Sequence, residues 1–262
     1  MAGVVRQDQR APFVAALQRA RETAYPPGGY VGQESFMGAG EIRELARRAG
    51  IGPGVPVLDL CCGVAGPGRL LVAELGCAYL GVDFSGSALE IAREQAGDLR
   101  CRFEQRHLPP LPEGRFEVVL LLETVLAFPD KRALLTEVAR VLPPGGRFAL
   151  TVEEGSALTP GERAEMPDAD TVWLVELPEL TALLADAGLT VSWLQECTTA
   201  HLATATALLD AFRAEATALE DGIGPRATAE LIAAHQLWCD WLGGGRVRKF
   251  ALVAEKRSKG TR

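Results

Sequence analysis

The chain of 262 residues has no long apolar run and no concentrated block of positive charge outside its last residues, "KRSKGTR". No apolar stretch approaches the roughly 18 residues that a membrane-spanning helix needs. The N-terminal "MAGVVRQDQR" lacks the apolar core of a secretion signal. The net charge of -7 argues against sequence-independent binding of nucleic acid, which requires a positive face. These absences predict a cytoplasmic protein with no membrane or nucleic-acid partner.

Cysteine is also scarce, with six residues spread along the chain. They are too few and too scattered for a disulfide scaffold, so a reducing compartment is expected. Cys61 and Cys62 are adjacent, which is a poor spacing for metal ligands, and no metal site is predicted. Hydrophobic residues make up 48% and charged residues 23%, the balance of an ordinary globular protein.

Short apolar segments predict buried β-strands, and most of them are separated by stretches with helical spacing. This alternation is typical of an α/β protein with a doubly wound parallel sheet that is covered on both faces. The predicted strands are "VPVLDL" (55–60), "CAYLGVDF" (77–84), "LRCRFE" (99–104), "FEVVLLL" (116–122), "RFALTV" (147–152), "LTVSWLQE" (189–196) and "RKFALVAE" (248–255).

Two parts of the chain fall outside this alternation. Residues 1–50 combine a helical pattern with the turn-rich "YPPGGYVGQESF", and residues 200–245 have the pattern of two amphipathic helices separated by "DGIGP". The predicted organisation is an N-terminal helical and lid segment (1–50), a Rossmann-like core (51–199 and 246–256), a helical cap inserted at 200–245 and a tail (257–262).

The stretch "VLDLCCGVAGPGR" (57–69) places a glycine-bearing loop directly after the first strand. In a doubly wound sheet, ligands bind beyond the carboxyl ends of the strands. Gly63 and Gly66 would let the backbone approach a ligand, and Asp83 would accept hydrogen bonds from ribose hydroxyls. From these residues the ligand is either a dinucleotide or S-adenosylmethionine. The glycine order differs from G-x-G-x-x-G, which favours S-adenosylmethionine.

Four motifs occur in order: "VLDLCCGVAGP", "YLGVDFSGSALEIAR", "FEVVLLLETVLAFPD" and "ARVLPPGGRF". With them the chain resembles the class I S-adenosylmethionine-dependent methyltransferases, small-molecule branch, over roughly residues 25–155. The resemblance implies a seven-stranded sheet with an antiparallel last strand, and S-adenosylmethionine as cofactor with S-adenosylhomocysteine as product. It implies as cofactor-binding residues Tyr30, Gln33, Asp59, Leu60, Cys61, Gly63, Asp83, Phe84, Gln105 and Glu123.

The chain departs from the family pattern at several positions. Cys61 and Ala65 replace expected glycines, and both are small enough to narrow the site without blocking it. Gln105 stands where relatives often carry an acid that accepts a hydrogen bond from adenine, and Glu104 is the alternative. Ala127 stands where relatives often carry a histidine, which removes one familiar base.

Methyl transfer from a sulfonium depends mainly on alignment and on exclusion of water, and it needs a base only when the acceptor keeps its proton. The sequence therefore identifies no catalytic residue with certainty. The candidates by position are Tyr30, Glu123, Glu154 and His235.

The aromatic residues of the cap, Phe212, Trp238 and Trp241, predict an apolar roof over the substrate, with Trp173 as a further candidate for the lining. The hypothesis is methyl transfer to a small, largely apolar metabolite of secondary metabolism by a monomer or homodimer. The alternative is an enzyme of this fold that binds the cofactor but catalyses a non-methylating reaction, such as cyclisation. A non-catalytic cofactor-binding subunit and an NAD-dependent dehydrogenase are weaker alternatives.

Overall fold

The computed structural model describes residues 7–166 and 169–257, with side chains from residue 15 onward. Most of the predicted tail therefore lies outside the described residues, as do the first six residues of the N-terminal segment. In the part that is described, no helix has both the length and the apolar character needed to cross a membrane.

Within residues 7–166 and 169–257, seven β-strands form one sheet and ten α-helices pack around and beside it. The strands are β1 (Pro56–Leu60), β2 (Ala78–Asp83), β3 (Cys101–Gln105), β4 (Val118–Leu121), β5 (Arg147–Glu154), β6 (Leu189–Glu196) and β7 (Arg248–Lys256). The helices are α1 (Gln7–Ala24), α2 (Ala39–Ala49), α3 (Gly66–Leu75), α4 (Gly86–Ala96), α5 (Lys131–Val141), α6 (Pro160–Glu165), α7 (Leu177–Asp186), α8 (Thr198–Ala214), α9 (Ala216–Ile223) and α10 (Pro225–Gly243). Short 3₁₀ turns cover Val125–Ala127 and Ala169–Thr171.

The strand order is β3-β2-β1-β4-β5-β7-β6, with β7 antiparallel to both of its neighbours. This confirms the predicted doubly wound, seven-stranded sheet with an antiparallel last strand. Leu60 at the end of β1 is aligned with Val82 of β2 and with Leu121 of β4. The carboxyl ends of these three strands therefore meet at one edge of the sheet.

The strands read as continuous apolar runs because both faces of the sheet are covered. Val57 and Val118 pack on the face that also carries α2 and α3, whereas Leu58 and Val119 pack on the face of α5 and α7. Successive side chains point to opposite faces, so each short strand contributes to both hydrophobic cores.

Of the helices between β6 and β7, α8 and α9 pack against α1 and α10 packs against α8 and α9, and the three form a cap beside the sheet. The sequence pattern predicts two helices here, but the structure has three. The predicted break is present, since Gly224 adopts a left-handed φ of 87° and Pro225 begins α10. A further break occurs at Glu215, whose carboxylate pairs with Arg19 of α1 at 2.7 Å. Glutamate is a good helix former, so the sequence carries no signal for this second break.

Candidate functional site

A cavity of about 720 Å³ opens at the carboxyl ends of β1, β2 and β4. Its volume lies in the range of roughly 300–1,000 Å³ that is usual for small-molecule sites. Seven of the ten predicted cofactor-binding residues line it: Gln33, Asp59, Cys61, Gly63, Asp83, Phe84 and Glu123. The cavity is closed on one side by residues 25–38, the loop between α1 and α2, which we call the lid loop.

The loop after β1 turns sharply through three residues with left-handed backbone angles. Cys61, Gly63 and Ala65 have φ values of 56°, 54° and 56°. Only glycine adopts this conformation without steric cost, which explains the glycines expected at the first and last of these positions. Burial raises the pKa of the Cys61 thiol to about 12, with Asp83 and Asp59 adding to the shift. The thiol is therefore neutral, and it lines the cavity as a small apolar group.

Asp83 joins this loop to the end of β2. Its Oδ2 accepts a hydrogen bond from the Gly63 backbone N–H at 2.9 Å, and its Oδ1 accepts one from the Ser85 N–H at 2.8 Å. Each carboxylate oxygen has a second lone pair, so both can still accept a hydrogen bond from a ligand. The side chain is buried apart from its exposure to the cavity.

Asp59 at the end of β1 is buried and accepts a hydrogen bond of 2.6 Å from the Tyr79 hydroxyl. Burial raises the pKa of Asp59 to about 7; the hydrogen bond from Tyr79 lowers it, and the charge of Asp83 raises it. Near neutral pH this carboxyl group is thus poised between its two protonation states, and a cation in the cavity would favour the ionised state.

Five predicted site residues lie outside the described lining of this cavity, and one of them, His235, lines a second cavity. Leu60 is part of the hydrophobic core. Tyr30 packs on Tyr25 with 5.5 Å between ring centroids. Gln105 turns back and donates a hydrogen bond of 2.9 Å to the Phe84 carbonyl, and Glu154 pairs with Arg248 at 2.9 Å.

Arg106 and His107 line the cavity on the side where Gln105 was expected. The His107 ring lies 5.9 Å from that of Phe84, which is 63% exposed. The sequence signal for these residues is only their position directly after β3.

A second cavity of about 410 Å³ lies between the core and the cap. It shares Gln33, Glu34, Ser35 and Glu123 with the larger cavity, so the two cavities are adjacent. Most of its lining is apolar and comes from the lid loop, α1, α8, α10 and the 3₁₀ turns. The aromatic members of this lining are Tyr25, Phe36, Phe212, His235 and Trp238.

Two tryptophans that the sequence places near the substrate are absent from the described lining. Trp241 is buried and packs against Trp238 at 5.6 Å, while Trp173 is 39% exposed beneath the Arg163 guanidinium. His235 does line the second cavity, but its Nδ1 lies 2.9 Å from the Leu231 carbonyl of its own helix. Burial holds the pKa of His235 below its usual value, so its ring is neutral.

The lid loop is fixed by the buried side chain of Gln33. Its Nε2 donates to the Gly29 and Met37 carbonyls at 2.9 and 2.8 Å, and its Oε1 accepts from the Val31 N–H at 2.6 Å. The sequence predicts that Gln33 contacts the cofactor, yet these bonds occupy both ends of its amide. Its main contribution is to hold the lid loop over the junction of the two cavities.

A buried group of charges lies at this junction. The Lys249 ammonium contacts Glu123 Oε2 at 2.6 Å and also pairs with Glu153. All three side chains are nearly inaccessible to solvent. Burial favours the neutral acid, but Lys249 and His201 outweigh it and hold the pKa of Glu123 below its usual value. For Glu153 burial prevails, reinforced by the charge of Glu123, and the pKa is raised.

His201 lies behind this group, with its Nδ1 3.8 Å from Glu123 Oε1 and its Nε2 3.2 Å from Glu41 Oε1. Glu41, Cys197 and His201 each offer one potential metal-ligand atom, and these three atoms lie within 4.8 Å of one another. The sequence predicts no metal site. The four-residue spacing of Cys197 and His201 at the start of α8 is the one signal that could have drawn attention to this pair.

Comparison with known proteins agrees with this geometry. A family model described as "Methyltransferase domain" matches residues 57–146. The chain is 32% identical over 120 residues to methyltransferase GfsG of Streptomyces halstedii, an alignment that covers 43% of each protein. The chain thus spans less than half the length of this relative.

Solved structures share the fold over nearly the whole chain. The phosphoethanolamine N-methyltransferase 2 of Haemonchus contortus, in complex with S-adenosyl-L-methionine, superposes with a TM-score of 0.76 at 18% identity, covering 92% of this chain and 56% of that one. The [4+2]-cyclase SpnF superposes with a TM-score of 0.72 at 19% identity, covering 95% of both chains. Residues 57–146 thus match a methyltransferase domain, and these comparisons support the resemblance of the sequence motifs to class I S-adenosylmethionine-dependent methyltransferases.

Proposed function

We propose that this chain binds S-adenosylmethionine in the larger cavity and transfers its methyl group to a small, largely apolar molecule in the second cavity. The observation that carries the proposal is the contact between the two cavities at Glu123 and the lid loop. The larger cavity offers carboxylates at the ends of parallel strands, and the second adds apolar and aromatic side chains from the cap beside the charged group at the junction. A donor and an acceptor held in this way would meet at the junction.

The residues of the larger cavity fit the cofactor. The open lone pairs of Asp83 suit the two ribose hydroxyls, and the exposed ring of Phe84 offers an apolar face to adenine. Asp59 lies where the ammonium of the methionine portion would be held. The bound cofactor would supply a methyl group on a positively charged sulfur, and the acids of the lining complement that charge.

The second cavity suits the predicted acceptor because slightly more than half of its lining residues are apolar. In-line methyl transfer gains from alignment and desolvation more than from any single base. We further propose that the protein acts in the cytoplasm on a secondary metabolite, as a monomer or homodimer and without a nucleic-acid partner.

Titration calorimetry with S-adenosylmethionine and with S-adenosylhomocysteine tests the proposal. Both ligands should bind, and Asp83→Asn should weaken binding at least tenfold because each ribose hydrogen bond to a charged acceptor contributes about 1.5–3 kcal/mol. Asp98→Asn replaces an exposed aspartate of the same chain and should change nothing. If neither ligand binds at millimolar concentration, the proposal is wrong.

Cyclisation without methyl donation is the second candidate. The observation that favours it is the second cavity, whose partly apolar lining could hold a substrate in a reactive conformation beside a cofactor that does not react. Product mass separates the two candidates, since methyl donation adds one CH₂ equivalent to the substrate and cyclisation by rearrangement adds no mass.

A further inference from the structure

The imidazole of His201 on α8 is buried, and both of its nitrogen atoms lack hydrogen-bond partners. Only 1% of this side chain is exposed. Within residues 15–166 and 169–257, neither Nδ1 nor Nε2 makes a hydrogen bond. Because buried polar atoms without partners are costly and rare in folded proteins, the two ring nitrogens indicate an interaction that the protein side chains alone do not supply.

The Nε2 atom of this ring faces a carboxylate and lies near a thiol. Glu41 Oε1 of α2 is 3.2 Å from Nε2, although the two atoms do not form a hydrogen bond. Cys197 is the N-cap of α8, four residues before His201, and residues i and i+4 of a helix lie on one face. One potential ligand atom from each of the three residues lies within 4.8 Å of the other two.

This set of groups suits a zinc ion. Zinc binds thiolate, imidazole and carboxylate groups with tetrahedral geometry at about 2.0–2.3 Å, whereas magnesium and calcium prefer oxygen ligands alone. Two nitrogen or oxygen ligands of a tetrahedral zinc ion are about 3.3 Å apart. The 3.2 Å between His201 Nε2 and Glu41 Oε1 matches that separation. Shifts of about 1 Å at most bring the thiol to the corresponding distance.

The other nitrogen of the ring faces Glu123. His201 Nδ1 lies 3.8 Å from Glu123 Oε1, a buried oxygen that accepts no hydrogen bond from the residues that the structure describes. A histidine that binds a metal through one nitrogen usually donates its other N–H to a carboxylate, which orients the ring. A shift of about 1 Å brings Nδ1 within hydrogen-bond distance of this oxygen. Metal binding thus supplies partners for all three of these buried atoms.

We propose that Glu41, Cys197 and His201 bind a zinc ion, and that Glu123 accepts a hydrogen bond from the bound imidazole. The ion joins α2, which follows the lid loop, to α8 of the cap. Three protein ligands leave one tetrahedral position for water, and the Glu41 side chain is 32% exposed, which gives the ion a route from solvent. Burial, and then the charges of Glu123 and Glu41, raise the pKa of the Cys197 thiol to about 12, so zinc binding displaces the thiol proton to solvent.

Zinc binding to the full chain tests the inference and does not depend on the proposed function. The protein is treated with EDTA, separated from the chelator and titrated with zinc chloride in competition with a chromophoric chelator at pH 7.5. We expect one equivalent to bind with a Kd below about 10 µM. Weaker binding or none would overturn the inference, and His201 would then be a buried cation between Glu41 and Glu123.

A cysteine variant identifies the thiol ligand. Cys197→Ser should weaken zinc binding at least tenfold, whereas Cys239→Ser, which changes a partly buried cysteine on α10, should keep the wild-type affinity. A smaller effect of Cys197→Ser would place the metal elsewhere and overturn the inference. Should this variant fail to fold, Co²⁺ bound to the wild-type protein decides the matter. Its spectrum should contain thiolate-to-cobalt charge-transfer absorption, and a spectrum without that absorption would exclude a thiol ligand.

Glu123→Gln tests the role of the second carboxylate. The Lys249 ammonium only donates hydrogen bonds, so the new amide oxygen should face Lys249 and the new NH₂ group should face His201 Nδ1. The zinc affinity should therefore fall about 10–100-fold. Glu90→Gln, an exposed change on α4, should keep the wild-type affinity. An affinity within threefold of wild type in Glu123→Gln would refute the assignment of Glu123.

Discussion

Replacement of Asp59 by asparagine should make cofactor binding insensitive to pH. The pKa of Asp59 is raised to about 7, first by burial and then by the charge of Asp83, while the hydrogen bond from Tyr79 opposes the shift. Under the proposed function the ionised carboxylate holds the ammonium of the cofactor. Binding should therefore weaken as the pH falls through 7 and Asp59 becomes protonated.

The size of this effect follows from the fraction of Asp59 that is ionised. About three-quarters is ionised at pH 7.5 and about 3% at pH 5.5, so the affinity for S-adenosylhomocysteine should fall roughly 25-fold, or about 2 kcal/mol. Calorimetry at pH 5.5, 6.5 and 7.5 measures it. The Asp59→Asn variant should bind weakly at all three values, and Asp98→Asn should reproduce the wild-type trend. A wild-type affinity that stays constant over this range would refute the reasoning.

The same pKa makes a prediction about stability. The folded-state pKa of about 7 lies above the unfolded value of about 3.9, so this group's contribution is fully present below pH 4 and is lost as the pH rises through 7. The loss is at most about 4 kcal/mol. Asp59→Asn, which does not titrate, should melt at nearly the wild-type temperature at pH 4 and at a higher temperature at pH 8. A melting difference that does not change between these two pH values would contradict this.

Three further changes have outcomes that thermal melting or calorimetry can check. Lys249→Met should destabilise the protein by about 3–5 kcal/mol, because it leaves the two buried acids Glu123 and Glu153 without their counter-ion. A decrease in the free energy of unfolding below about 1 kcal/mol would show that these acids are protonated. Gly68→Ala should lower the melting temperature, since the new Cβ would overlap the Tyr79 ring, whereas Gly40→Ala within α2 meets no atom within 4 Å and should raise stability by up to about 1 kcal/mol. Asp83→Asn should reduce cofactor affinity and also lower the melting temperature, because the new amide nitrogen cannot accept the backbone hydrogen bond that one carboxylate oxygen accepts; wild-type affinity in this variant would remove Asp83 from the site.

The strands could be predicted almost to the residue because the turn residues and the apolar runs indicate the same strand boundaries. The expected strand 55–60 is Pro56–Leu60 in the structure, and the expected strand 189–196 is Leu189–Glu196. In each case an apolar run begins within two residues of a glycine in a turn, Gly54 before β1 and Gly188 before β6. The sheet is covered on both faces, so the side chains of such a run can be apolar throughout. The break at Glu215 could not be predicted, since only the contact with Arg19 of another helix distinguishes it from ordinary helix.

The candidate site also has residues whose position could be predicted from the sequence and one residue whose contacts could not. Asp59, Asp83 and Glu123 end parallel strands, and the topology alone brings the ends of such strands to one edge. Gln105 follows the same rule, yet its amide finds a nearer partner in the Phe84 carbonyl. The position of a residue along a strand predicts where its Cα lies. It does not predict which of several nearby acceptors its side chain binds.

The pairing of Lys249 with its two acids follows from the one antiparallel strand. Because β7 runs opposite to β5, the first residues of β7 lie beside the last residues of β5, and Lys249 is the direct register partner of Glu153. A basic residue at the start of β7 is thus brought to the edge where the parallel strands carry their acids. Lys249 pairs with only one oxygen of Glu123, and the other oxygen is buried 3.8 Å from His201 Nδ1.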